Sequence, residues 1–123
     1  MNISISKKKY LVAIHTIATQ NGMVRAIDLT RCLKISKPSV SIMLRQLEKD
    51  NLIQQYGCNN HRIGLTARGS SIADHLIEKY RILEQLLVRL DIPPSVAEVE
   101  VPAIEDSISE ESFGKICRAT IKE

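Results

Sequence analysis

Apolar residues near the start of the chain recur with a helical period. Tyr10, Leu11, Ile14, Ile17 and Ala18 share one side of residues 6–20, the spacing that lets a helix bury a single face. Ser6 is a candidate N-cap, and Asn21-Gly22 is a C-terminal stop. Ala26, Leu29 and Leu33 predict a short second helix. In the break ISKPS (35–39), Ser36 can cap a new helix and Pro38 fits its first turn. That third helix carries Val40, Met43, Leu44 and Leu47 on one side and ends near Lys49-Asp50-Asn51.

The period then shortens. LIQQY (52–56) and HRIGL (61–65) alternate like strands, and GCNN (57–60) between them is rich in residues that accept positive φ. A hairpin is expected, followed by Thr66 as the N-cap of a long helix. Residues 67–90 show Ile72, Ala73, Leu76, Tyr80, Leu83, Leu87 and Leu90 at helical spacing. A helix of this length spans about 37 Å, more than a small domain needs for its own core, so packing against a second subunit is expected. Asp91-Ile92-Pro93-Pro94 breaks it. Two shorter helices follow, over 94–108 and 110–121, the second carrying Phe113, Ile116, Cys117 and Ile121.

The predicted fold class is therefore mainly α: an N-terminal winged helix-turn-helix over residues 1–66, then an all-helical dimerisation domain over residues 67–123. Helix, helix, tight turn, helix and hairpin within about 60 residues is the winged-helix order. Aromatic content of 3% leaves the core to Leu, Ile, Val and Ala. No apolar run is long enough to span a membrane, and MNISISKKKY lacks the apolar stretch of a secretory signal. Cys32, Cys58 and Cys117 are odd in number and widely spaced, as expected of reduced thiols in a cytoplasmic protein. No nucleophile–base motif, phosphate loop or HExxH occurs, so an enzyme is not expected.

Charge divides the chain. Residues 1–69 hold 11 Lys/Arg against 3 Asp/Glu, and residues 70–123 hold 6 against 11. A basic front half suits a polyanion. With Val40, Leu44 and Leu47 turned inward, Ser39, Ser41, Ile42, Arg45 and Gln46 are left outward. Arg can fork onto guanine in a major groove and an apolar group can touch a thymine methyl. Ser36, Lys37 and Pro38 open the helix, where free N–H groups help hold phosphate. Arg62, beside the wing turn, is a further phosphate or minor-groove candidate, with His61 next to it. The partner expected is a double-stranded DNA operator.

The strings SKPSVSIMLRQLEKDNLI and LTARGSSIADHLIEKYRILEQLL, with S-x-P-S-V-S at 36–41 and ILEQLL at 82–87, resemble the diphtheria toxin repressor family, closest to its short manganese-responsive members. The resemblance runs from about residue 9 to residue 121. It implies a homodimer, built through the 67–90 helix and the C-terminal helices, that binds an inverted-repeat operator and represses metal-homeostasis genes. The extra C-terminal domain of longer members is not expected. The recognition-helix positions Ser36, Pro38, Ser39 and Ser41 match, whereas Ile42 stands where the family is often polar.

The family's metal ligands carry over differently. Its acid-x-x-acid pair on the first helix becomes Lys9 and Val12, its long-helix histidine becomes Tyr80, and its acid-x-x-Glu-His run becomes Pro102, Glu105 and Asp106 within EVEVPAIEDSIS (98–109). Two hard oxygens beside a lysine hold Mn²⁺ or Fe²⁺ weakly at best. The expectation is weakened or lost metal control, with Lys9 as the candidate cation that replaces the metal beside Glu105 or Asp106. One alternative is a rearranged all-carboxylate Mn or Fe site drawing on Glu84, Glu98, Glu105 and Asp106. Another is a winged-helix regulator that senses a small organic ligand or a partner protein. Pro102 removes a backbone N–H and should free the Glu98 carbonyl if the helix runs through it.

Overall fold

The computed structural model describes residues 3–121, apart from the side chains of Asn60 and Ile121. Two compact units divide the chain, Met1–His75 and Leu76–Glu123.

The first unit opens with α1 (Ile5–Asn21). Ser4, not Ser6, is its N-cap and accepts from the Lys7 amide. Apolar periodicity begins only at Tyr10, so nothing in it marks the first turn. Gly22 ends the helix at φ 76°, donating its N–H to the Ala18 carbonyl. Two residues, β1 (Val24–Arg25), lead into α2 (Ala26–Leu33). Asp28 accepts from the Arg25 amide at the start of α2. The third helix, α3 (Lys37–Lys49), begins as its sequence predicts, with Ser36 as cap and Pro38 in the first turn.

The hairpin is β2 (Ile53–Tyr56) and β3 (Arg62–Leu65), joined by a short 3-10 turn in which Gly57 has φ 82° and Asn59 φ 58°. It is part of a three-stranded antiparallel sheet in the order β1-β3-β2. The registers are Val24↔Ile63 and Ile53↔Leu65. The third strand, β1, was not expected, because two residues cannot show alternation. Tyr10, Leu11, Ile14, Val24, Leu29, Val40, Leu44, Leu47, Leu52, Ile53 and Ile63 form one buried apolar cluster with Ala73.

The long helix, α4 (Ala67–Arg89), starts in this unit. Thr66 caps it, accepting from the Gly69 amide, and its own hydroxyl donates to the Asn51 carbonyl at 2.7 Å. A Cβ at Gly69 would lie 2.0 Å from the Leu52 carbonyl oxygen. The helix therefore sits on the loop behind α3 with no room for a side chain there. Asp50 is the centre of this join: its carboxylate meets the Lys7 ammonium at 2.7 Å and its carbonyl accepts from Arg68 at 2.6 Å.

The second unit holds the rest of α4, then α5 (Pro94–Ser107) and α6 (Glu110–Ile121). Asp91, at φ 66°, closes α4, and Ser109 caps α6 by accepting from the Ser112 amide. The fifth helix runs through Pro102 without ending. Leu76, Ile82, Leu83, Ala97 and Val101 are buried. Among the described residues no helix is long and apolar enough to cross a membrane.

Candidate nucleic-acid interface and an ion cluster in the C-terminal unit

The burial of Val40, Leu44 and Leu47 fixes how α3 is turned. Ser36, Lys37, Pro38, Ser39, Ser41, Ile42, Arg45 and Gln46 are all exposed. Pro38, Ser41, Ile42 and Arg45 follow the i, i+3, i+4, i+7 spacing of one helical face. Ile42 is 51% exposed, a large apolar side chain among polar neighbours. The Ser36 hydroxyl is held at the helix start, 2.9 Å from the Ser39 hydroxyl. At the other end of α3, the Glu48 carboxylate accepts from the Gln55 amide of β2 at 3.0 Å. That contact ties α3 to the hairpin.

The sheet places Arg62 in company that the sequence does not reveal. It lies opposite Tyr56 on β2 and opposite Arg25 on β1. Directly opposed residues of antiparallel strands share a face. Tyr56, Arg62 and Arg25 are all exposed, so the wing carries a cross-strand row of two guanidinium groups and a phenol ring. Arg25 was missed because the strand that aligns it is too short to read. His61 is exposed beside the row. His15, to which sequence assigns no role, pairs with Asp74 at 2.8 Å.

In the C-terminal unit Glu105 is buried, with 8% exposure. The Lys79 ammonium of α4 lies 3.7 Å from its carboxylate and 2.6 Å from that of Glu110 on α6. The same ammonium stands 5.3 Å from the centre of the Phe113 ring. Sequence singles out Glu105 but not its partner here, since Lys79 reads as one more polar position on an amphipathic helix. Lys9, the cation that the sequence puts forward, is an exposed residue of α1. Asp106 and Glu98 are exposed. Glu84 is half-buried and borders a shallow depression with Arg81, Gln85, Val88 and Arg89. Among the described residues no three His, Cys, Asp or Glu side chains gather as a metal ion would need. Beside these, the exposed pair Glu78 and Arg81 share a hydrogen bond that holds the Glu78 carboxyl below the usual range.

Comparison with known proteins accounts for both units. Residues 2–57 match the family described as iron dependent repressor, N-terminal DNA binding domain. Residues 66–120 match iron dependent repressor, metal binding and dimerisation domain. The chain belongs to the iron-dependent repressor family, that of the diphtheria toxin repressor. This family is one of DNA-binding repressors, not of enzymes. A relative, the transcriptional regulator MntR of Escherichia coli O157:H7, is 29% identical over 104 residues, covering 85% of this chain and 66% of its own length. The structure of T. acidophilum IdeR superposes with a TM-score of 0.81 at 24% identity, over 96% of this chain and 55% of that one. A structure described as a manganese-dependent transcriptional repressor in complex with manganese gives a TM-score of 0.79 at 23% identity, over 93% and 52%. The chain thus spans just under two thirds of its MntR relative and about half of these solved structures. The structural likenesses show a shared winged-helix fold.

Proposed function

We propose that this member of the iron-dependent repressor family is a cytoplasmic, sequence-specific transcriptional repressor that binds an inverted-repeat operator as a homodimer and needs no bound metal to do so. Residues 1–66 read the DNA and residues 67–123 dimerise. The observation that carries the reading is the outward face of α3, where Ser39, Ser41, Ile42 and Arg45 stand exposed over a buried Val40, Leu44 and Leu47. Backbone contacts come from Ser36, Lys37 and the Arg25–Arg62 row of the wing, and base contacts from α3. Dimerisation is supported by Val88, Leu90, Val96 and Val99, which lie 44%, 63%, 43% and 76% exposed in the unit that matches the dimerisation domain. Apolar groups of that size gain by covering one another.

The side chains present do not fit a resident Mn²⁺ or Fe²⁺. The positions that the family resemblance assigns to ligands hold Lys9, Val12, Tyr80 and Pro102 beside Glu105 and Asp106. The buried carboxylate among them, Glu105, already has an ammonium 3.7 Å away. Hard divalent ions need several anionic or neutral oxygen and nitrogen donors, and a nearby lysine repels them. Glu84 and Glu98 do not complete such a set.

Selection of binding sites from a random duplex library, followed by fluorescence anisotropy with and without a chelator, tests the reading. The expected result is a two-fold symmetric site whose affinity changes less than twofold on chelation or on added Mn²⁺. Failure to enrich any sequence overturns the DNA-binding reading, and a tenfold or larger loss on chelation overturns metal independence.

A further inference from the structure

We infer that Lys79 is the resident cation of the C-terminal unit, a positioning residue whose ammonium supplies the cross-link between helices that a bound divalent ion would otherwise provide. The inference rests on the metal-independent reading above and gives it a physical agent.

Three helices converge on one nitrogen. Lys79 comes from α4, the buried Glu105 from α5, and both Glu110 and Phe113 from α6. The Glu110 contact, at 2.6 Å, is a charge-assisted hydrogen bond to a side chain that is 84% exposed, so the buried Glu105 carries more of the electrostatic weight. The Glu105 contact, at 3.7 Å, is an ion pair beyond hydrogen-bond length. An ammonium has three donors and is attracted to the face of an aromatic ring, so a third side of the group is covered by Phe113. The side chains of Lys79 and Glu105 are 21% and 7% exposed. At that depth the attraction is screened much less than at the surface, and taking a cation away from a buried carboxylate is costly.

One central cation joins carboxylates from separate helices and fixes the spacing between them. A divalent ion in the same place would need Lys79 to leave or lose its proton. The stem of Lys79 is bonded to α4, so dilution or chelation does not remove the charge. The C-terminal unit is accordingly held in one arrangement regardless of metal supply.

The experiment uses the full chain and the DNA site enriched by selection. Lys79→Ala, Lys79→Arg, Glu105→Gln and the double variant Lys79→Ala/Glu105→Gln are compared by thermal unfolding and by DNA affinity. Removing the ammonium is expected to lower the melting temperature and to weaken DNA binding about tenfold, beyond any effect of chelator. Arginine, which keeps the charge, restores affinity to within about threefold of the parent. Neutralising Glu105 in the Lys79→Ala background recovers part of the lost stability, because the buried charge is then gone. Should Lys79→Ala fail to fold, the same comparison is made with Lys79→Met, which keeps most of the stem's packing and removes the charge. An unchanged melt and affinity in Lys79→Ala, no rescue by arginine, or strictly additive effects of the two substitutions would each overturn the proposal. Loss of parental DNA binding on chelation instead removes the metal-independent reading on which it rests. If the parent enriches no DNA site, the melts alone decide on Lys79.

Discussion

Two single residues carry more of the design than their size suggests. Gly69 sits where a methyl group would lie 2.0 Å from the Leu52 carbonyl oxygen. That oxygen belongs to backbone and cannot swing aside, so α4 itself would have to lift. Gly69→Ala is expected to destabilise the DNA-binding unit by about 3 kcal/mol or more, read as a large fall in melting temperature. A melt within two degrees of the parent contradicts the close approach. Ile42 is the opposite case, a large apolar residue left 51% exposed. Ile42→Ala should leave the melt unchanged. It should lower affinity about five- to tenfold for a selected site with thymine at the contacted position. Replacing that thymine by uracil removes the methyl group and should abolish the difference between parent and variant. Equal discrimination by both proteins would show that Ile42 reads no base.

At the scale of elements, α5 is the least comfortable. It continues through Pro102, which has no N–H to give to Glu98 four residues earlier. Pro102→Ala supplies that donor and is expected to raise stability by about 1 kcal/mol, seen as a higher melting temperature. A lower one would mean that the proline ring fills space an alanine leaves empty. Elements also mark where sequence reading succeeds and where it stops. The six helices of the described residues are legible because they announce themselves locally, through apolar spacing and, in several, caps such as Ser36, Thr66 and Gly22. The hairpin is legible from its turn residues. The strand Val24–Arg25 is not, because its identity lies in pairing with Ile63 and Arg62, nearly forty positions away. Without it, the company of Arg62 on the wing is hidden as well. The Lys79–Glu105 contact is hidden for a similar reason: Glu105 stands out as a carboxylate on the buried stripe of Ala97 and Val101, but Lys79 reads as an ordinary polar position, and only the fold brings the two within 3.7 Å. The first cap was misplaced at Ser6, two residues inside the helix that Ser4 begins.

For the whole molecule, opposite charge goes with different work. The residues before 70 carry the excess of Lys and Arg and form the surface that suits a phosphate backbone, while those after 69 carry the excess of Asp and Glu. An acidic C-terminal half does not compete for DNA, and its exposed Val88, Leu90, Val96 and Val99 suit another apolar surface better than a nucleic acid. The cation at its centre has a consequence for timing. A repressor governed by a dissociable ion follows the concentration of that ion within the lifetime of the bound state. An ammonium built into the chain has no off-rate. On the metal-independent reading proposed above, release of the regulated genes would follow how fast the protein itself is degraded or diluted by growth, the time of the cell cycle rather than that of ion exchange.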